Sequence, residues 1–394
     1  MTQKYCRGIS KWLLIVAIAV CVQVTFAEEP AAVTKAKTNS WKAIDTGAFA
    51  DSINHVVMQY EGRKAPYEQY SSEQIVHIAE NFLAAQSEDG GWPRNKDWIR
   101  VYPASQLSKL RGRSTFDNRS TWTQIDYLAR VHQQTGLKRY ATSAIKGIEY
   151  ILASQRASGG WRGADVDAVT LNDHVMAGVL GTLKAVLDDR ALYVFVDDAL
   201  LARVRTAYEK GLACILKCQI KVGDRLTAWC QQHDHKTLRP IWARAFEPSS
   251  VVTAESVGVV RFLMSIENPS PPVIEAVQSA VAWLDHVKIN RLRVDKIKTE
   301  PVKFKYHWTD YDYVEVKDPA APPIWTRYYD LKTEKPIFCT RQRKITSNYT
   351  DLSRERRTGY SWYGYYPARL LEKEYPKWQR KWAPGRNVLK EEMK

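Results

Sequence analysis

A chain of 394 residues has room for one large domain or two modest ones. Its 45% hydrophobic and 26% charged content is that of a soluble globular protein and excludes a low-complexity chain. A formal net charge of +15, with 14 Trp and 21 Tyr, points to a polyanionic partner: nucleic acid, an anionic membrane or an acidic polysaccharide.

The first 27 residues narrow that choice. Lys4, Arg7 and Lys11 precede an apolar run from Trp12 to Val22, and Thr25-Phe26-Ala27 follows with small residues at both recognition positions. This order is that of a cleaved export signal, and the run is short for a membrane span. Export to the periplasm or the medium disfavours nucleic acid and permits disulfides. Four cysteines remain after cleavage: Cys214, Cys218, Cys230 and Cys339. Cys214 and Cys218 share a helix face, with Cys230, His233 and His235 nearby, but the spacing fits no compact zinc pattern. Buried thiols or one disulfide are expected instead.

Residues 28–55 are polar and rich in Ala and Lys, and read as a linker. Residues 56–385 then read as a single domain, expected to be monomeric, with 386–394 as a charged tail. Ser71-Ser72-Glu73-Gln74 has the form of a capping box. Ile75, Ile78, Ala79, Phe82 and Leu83 follow at helical spacing and predict one buried face. That helix ends at Gln86-Ser87-Glu88-Asp89-Gly90-Gly91-Trp92. A second helix, carrying Ile145, Ile148, Ile151 and Leu152, ends alike at Gln155-Arg156-Ala157-Ser158-Gly159-Gly160-Trp161. A fainter third copy runs from Gln219 to Trp229. Another helix fits about 121–134, so each repeat is two helices and a glycine turn that seats a tryptophan. Stacked or ring-closed helical hairpins follow from such a period.

Further helices are predicted at about 175–188, 197–218, 253–266 and 272–288. β-branched alternation is scarce, so the chain reads as mainly helical. From about Phe304 to Trp362 aromatics, prolines and charges are dense and helical periodicity fades. Such a segment is suited to fold across the mouth of an α/α barrel and complete a site.

Nine strings then occur in one order over about residues 40–380. They are Gly90-Gly91-Trp92-Pro93 with Arg94-Asn95, Ser114-Thr115-Phe116-Asp117-Asn118, Thr170-Leu171-Asn172-Asp173 and Trp229-Cys230-Gln231-Gln232-His233-Asp234. Ala243-Arg244-Ala245-Phe246-Glu247 and Ala254-Glu255-Ser256 follow. The last are Arg327-Tyr328-Tyr329-Asp330-Leu331, Phe338-Cys339 before Arg341, and Glu355-Arg356-Arg357-Thr358-Gly359-Tyr360-Ser361-Trp362-Tyr363-Gly364. In these strings the chain resembles polysaccharide lyase family 10, the pectate lyases. The resemblance implies an irregular α/α toroid, polygalacturonate as substrate, calcium as cofactor and cleavage by β-elimination to 4,5-unsaturated products. It further implies Arg244 as the Brønsted base, Asp173 at the calcium and substrate site, and Asp117 as a second acidic position. Arg327 and Arg341 would meet substrate carboxylates, and Asn118 and Trp92 are grouped with them as substrate-binding.

Each of these residues also has a plainer reading. Asp117-Asn118 and Asn172-Asp173 precede helical stretches and suit N-caps. Arg244 has Glu247 and Glu255 within reach as ion-pair partners. Trp92 and Trp161 suit packing anchors of the repeat, and Arg356-Arg357 a turn or a clamp. His233-Asp234-His235 is read as structural. Three features depart from the family pattern: His174 where a second acidic residue is usual, a short segment between Trp161 and Thr170, and the bulky Arg119 beside Asp117. Two rival functions follow: a degenerate lyase that binds pectic fragments without cleaving them, and a glycoside hydrolase using Asp117, Asp173, Glu247 and Glu255.

Overall fold

In the computed structural model residues 41–391 are described. The export segment, the first part of the expected linker and the last three residues lie outside the described residues. Eleven α-helical segments occur among those described. They are α1 (Ala50–Val57), α2 (Ile75–Ala85), the single turn α3 (Ala104–Leu107), α4 (Trp122–Thr135), α5 (Lys138–Ala153) and α6 (Val175–Asp188). Then come α7 (Asp198–Lys217), α8 (Thr253–Met264), α9 (Pro271–His286), α10 (Arg354–Gly359) and α11 (Tyr375–Trp382). Their apolar residues fall on one face as the spacing requires: in α2, Ile75, Ile78, Ala79, Phe82 and Ala85 are wholly buried. Gln74 Oε1 accepts from the Ser71 amide at 2.9 Å, one half of a capping box just ahead of α2.

α4 with α5, α6 with α7 and α8 with α9 pack as successive hairpins. Contacts between hairpins sort the helices into two layers. α2, α5, α7 and α9 follow one another in one, and α4, α6 and α8 in the other.

The repeated Gln joins neighbours within the first layer, and the repeated Trp ties that layer to the other. Gln86 Nε2 donates to Gly90 O at 2.8 Å and across to Ser143 O of α5 at 2.9 Å. Gln155 does the same to Gly159 O (2.9 Å) and Ala207 O of α7 (2.8 Å). Gln219, in the faint third copy, reaches Thr227 O (2.9 Å) and Ala276 O of α9 (3.0 Å). Each Trp indole then donates to a carbonyl in the last turn of the preceding helix: Trp92 to Phe82 O (2.9 Å), Trp161 to Ile151 O (2.8 Å) and Trp229 to Ile215 O (2.7 Å). Phe82 O also accepts from the Gln86 amide at 2.9 Å, whereas Ile151 and Ile215 stand in a last turn whose carbonyls lack intrahelical donors, and an unpaired buried one costs about 1–3 kcal/mol. The backbone of the same tryptophans holds the start of the other layer. Trp92 N–H donates to Thr121 Oγ1, Trp161 N–H approaches Met176 Sδ, and Trp229 N–H donates to Ser256 Oγ. Trp92 and Trp161 are therefore packing anchors. Trp92, grouped above with substrate-binding residues, is 0% exposed and cannot meet a ligand.

The glycines of the turn have a steric cause. Gly90 and Gly159 adopt φ of +93° and +92°, and a Cβ on them would lie 2.2 Å from Lys146 O and 2.3 Å from Lys210 O. Gly90→Ala is thus expected to destabilise the fold by about 2–4 kcal/mol, combining left-handed strain with a backbone clash. Urea unfolding of the variant measures this; a loss below about 1 kcal/mol would mean that the turn relaxes freely.

Two sequence expectations need correction. The stretch read as linker is folded from Trp41 onward: Ile44 and Phe49 enter the core and residues 50–57 form α1. At the other end Val388 is buried in the core, so residue 386 does not begin a free tail. A long antiparallel hairpin, Leu292–Lys303 with Trp308–Lys317, also stands where little β-structure was expected. Beyond it a small sheet runs in the order 345–346, 336–339, 328–329, 251–252. Its last pairing fastens the C-terminal segment to the start of α8. Over it lies an aromatic cluster of Phe246, Tyr328, Phe338, Tyr349 and Trp362. Cys214, Cys218, Cys230 and Cys339 are buried and free, not disulfide-bonded.

Candidate active site

Two backbone turns of unusual shape open the site. Asp117–Arg119 precedes α4 and Asn172–His174 precedes α6, each as a short 3-10 turn, and the two turns touch. Each holds two successive left-handed residues: Asn118 (φ 49°) with Arg119 (61°), and Asp173 (52°) with His174 (61°). Asn and Asp tolerate this region, whereas Arg119 and His174 are held there at a cost of about 1–3 kcal/mol each. Neither the Asp117-Asn118 nor the Asn172-Asp173 pair caps its helix: the N-cap positions are Thr121 and His174, and neither makes a side-chain cap bond. The shape instead fixes where the carboxylates lie. Asp117 is buried and paired with Arg94, and Asn118 is buried with its amide donating to Asn95 Oδ1. Asn118 was expected to bind substrate; it is a buried turn residue beneath Asn95.

Arg244 lies on the loop between strand 232–234 and strand 251–252. Glu247, 2% exposed, closes a tight turn around it. Its Oε2 accepts from the Arg244 backbone amide at 3.1 Å and from Nε at 2.9 Å, and its Oε1 from Nη2 at 2.5 Å. The guanidinium is 37% exposed, and its other edge lies 3.7 Å from Asp165. Burial disfavours the Arg244 cation, but the hydrogen bonds and charge of Glu247 outweigh it and raise the pKa above the ordinary value. Burial would likewise raise Glu247; the Arg244 bonds and charge, with Arg327, hold it below the usual carboxylate range.

Beneath these groups lies a polar floor. Arg327 pairs with Glu255 at the first turn of α8 and donates to Asn172 Oδ1 at 3.2 Å. Gln231 Nε2 approaches Asn172 Oδ1 (3.1 Å), Glu255 Oε1 (3.0 Å) and Tyr360 Oη (3.0 Å), while Tyr328 donates to Gln231 Oε1 at 2.7 Å. Tyr360 also donates to Glu247 Oε1 at 3.1 Å. Arg327 is 13% exposed, so it positions Asn172 and Glu255 more than it presents a charge to solvent. Arg341 is more open. It is held by Glu355 through two bonds of 3.0 and 2.7 Å, and its guanidinium lies 5.2 Å from the Phe246 ring, as does that of Arg244. Arg356, buried, binds the same Glu355, and Arg357 clamps Asp312 of the long hairpin.

Glu355 has its pKa lowered to about 2: burial opposes the shift, and the two arginines overcome it. A depressed folded pKa gives stability present above the unfolded value, about 4.3, and lost as pH falls through the folded one. Glu355→Gln is therefore expected to be less stable than the parent at pH 7 and to approach it toward pH 2. Urea midpoints across that range check this; a gap independent of pH would remove the Glu355 charge from the account.

Asp173 differs from the other carboxylates. Burial, then Asp117 and Asp51, raise its pKa well above the ordinary value, against the pull of Arg244 and Arg327. Its contact is with Asn172 Nδ2 at 2.7 Å, and among the described residues no cation forms an ion pair with it. No group of three or more His, Cys, Asp or Glu among the described residues is arranged to hold a metal ion. The donor set thus does not make a calcium site closed by protein. It fits a hard cation that shares its shell with a ligand carboxylate.

The structure brings Asp173, Arg244, Arg327 and Arg341 into one region, as expected. His233 is structural: it is fully buried, its Nδ1 bonds Leu238 O and its Nε2 accepts from the Cys230 amide. Sequence reasoning missed the roles of Asp51, Arg94, Asp165 and Tyr360. Of these, Arg94 and Tyr360 lay within the strings given above; nothing local marks Asp51 or Asp165.

The pectic acid lyase family model matches residues 86–371. Among solved structures, a family 10 polysaccharide lyase from Cellvibrio cellulosa, a mutant in complex with trigalacturonic acid, is 26% identical. The match covers 87% of this chain and 100% of that one, with a TM-score of 0.68. The family 10 polysaccharide lyase from the same organism is 27% identical over 86% of this chain and 98% of that one, with a TM-score of 0.65. A search of curated proteins gave no match. With the family model covering well over half of its length, the chain belongs to the pectic acid lyase family and is a polysaccharide lyase.

Proposed function

We propose that this lyase is an exported pectate lyase with an irregular α/α-toroid fold. It cleaves polygalacturonate by β-elimination, with Arg244 as the base. The observation that carries the reading is the part-exposed Arg244 guanidinium, fixed in place by buried Glu247 beside Asp173, Arg327 and Arg341. The trigalacturonic acid bound by the Cellvibrio structure supports an acidic saccharide.

In the reaction Arg244 takes the proton beside the uronate carboxylate. The C–H electron pair forms the 4,5 double bond, and the glycosidic oxygen leaves with its pair and is protonated. Asp173 would hold calcium, whose charge acidifies that proton and stabilises the charge that develops on the carboxylate. Arg341 orients the substrate carboxylate, and the floor of Gln231, Glu255, Arg327 and Tyr360 keeps Asn172 and Glu247 fixed. Hydrolysis is disfavoured by the pairing of the carboxylates: Asp117 is held by Arg94, Glu247 by Arg244 and Glu255 by Arg327.

An arginine base is thermodynamically awkward, and Glu247 makes it more so. Below the base's pKa its neutral fraction grows about tenfold per pH unit, so activity is expected to climb through the alkaline range. The test is incubation with polygalacturonate at alkaline pH, with calcium or with chelator, following the ultraviolet absorbance of unsaturated product. A calcium-dependent rise supports the reading, and a rate already level at neutral pH would assign the base elsewhere. A flat trace with the polymer still bound would leave a degenerate, binding-only lyase.

A further inference from the structure

A cleft of about 790 Å³ opens beside the Arg244 site, between the first two Gly-Gly-Trp turns. Four arginines line it, Arg94, Arg113, Arg156 and Arg162, against two carboxylates, Asp89 and Asp165. Both acids are engaged. Asp89 Oδ1 accepts from Ser114 Oγ at 2.6 Å and from the Gly91 amide at 3.1 Å; Asp165 binds Arg94 at 2.9 Å. Arg156 is paired with Asp167. Arg113 is exposed, and among the described residues no carboxylate pairs with it or with Arg162. Arg162 spends one nitrogen on Ala164 O at 3.1 Å, and its Nε is buried with no hydrogen-bond partner, as is that of Arg156. Guanidinium donors left in this state are suited to planar oxyanions. One wall carries the half-buried ring of Tyr150, braced by Phe116 at 5.1 Å, a flat face of the kind on which sugars rest.

The cleft is continuous with the candidate active site. Asp165 lines it and lies 3.7 Å from Arg244, and Arg94 bridges Asp165 to Asp117. We propose that the cleft is a second carboxylate-binding subsite, in which Arg113 and Arg162 receive uronates of the same polymer that lie away from the bond being broken. The inference rests on the polygalacturonate reading given above. It converts the short segment after Trp161, which supplies Arg162 and Asp165, into a wall of the substrate path.

The test is calorimetric binding of a long oligogalacturonate to the full mature protein in chelator, with polymer kinetics run in parallel. Arg113→Ala and Arg162→Gln are each expected to weaken binding about tenfold, the loss of roughly one charged contact. KM for the polymer should rise by a similar factor while kcat holds. Arg205→Ala, which removes the same charge from an exposed position on α7, is the control. Unchanged affinity in both cleft variants would overturn the proposal, as would an equal loss in the control. Because Arg113 makes no hydrogen bond or ion pair among the described residues, a folding defect does not obscure its result. Weakened binding in the variants, with a parent protein that forms no unsaturated product, would keep the subsite and remove the lyase reading. Unaltered binding with full lyase activity would do the reverse.

Discussion

Arg244→Lys is expected to lower the rate of unsaturated-product formation by about a thousandfold, within the range that removal of a positioned base produces. Lysine keeps a cation near Glu247, so the buried carboxylate retains a partner and the fold should survive. It cannot keep the geometry. The guanidinium meets Glu247 through two nitrogens and leaves its third toward Asp165, a fork that an ammonium does not reproduce. The substitution is informative because basicity alone predicts the opposite result. Lysine has the lower intrinsic pKa, about 10.4 against more than 12, and yields more neutral base at any given pH. A large loss would therefore show that placement, rather than intrinsic basicity, limits the reaction. Retention of activity within tenfold, with parental affinity for the polymer, would remove Arg244 from the role of base.

Arg327→Ala is expected to be the most destabilising change in the site, by about 3–5 kcal/mol, because it leaves Glu255 charged and buried. Glu255 is 5% exposed, and its Oε2 already has no hydrogen-bond partner. Among the described residues, Gln231 alone would then remain to donate to it. Replacing both partners, as Arg327→Met with Glu255→Leu, should recover part of the loss by removing the stranded charge. Recovery should stay incomplete, since Gln231 and Asn172 would lose an acceptor and a donor. Urea unfolding of the two singles and the double closes the cycle. Single losses near 1 kcal/mol would mean that water reaches the pair.

The helices were legible because their signals are local. Expected boundaries of 175–188 and 197–218 compare with Val175–Asp188 and Asp198–Lys217, each set by an uninterrupted apolar stripe. The third repeat was faint because its glycine pair is absent and its Trp stands ten residues beyond Gln219, yet the same two hydrogen bonds form. The hairpin at 292–317 escaped notice because most of its first strand is half-buried or exposed on both faces and rich in Lys, which blurs alternation. In the site, Arg244 with Glu247 was visible as a three-residue spacing. Arg327 with Glu255, 72 residues apart, was not, and neither was Arg94 with Asp165, 71 apart. Chain closure brings such partners together, and no local pattern records it.

The tryptophan caps carry a temporal order. Trp92 and Trp161 stand 10 residues beyond the carbonyls they cover, and Trp229 stands 14 beyond. The outer helix α9 has its Leu284 carbonyl covered by Trp325, 41 residues further on. As the chain emerges during synthesis or refolds, the first three capped helices, α2, α5 and α7, can finish from residues already at hand. The last, α9, must wait for the 292–317 hairpin to be laid down. The same delayed segment carries Arg327, Arg341 and Tyr360, so the site is assembled by the last part of the chain to find its place.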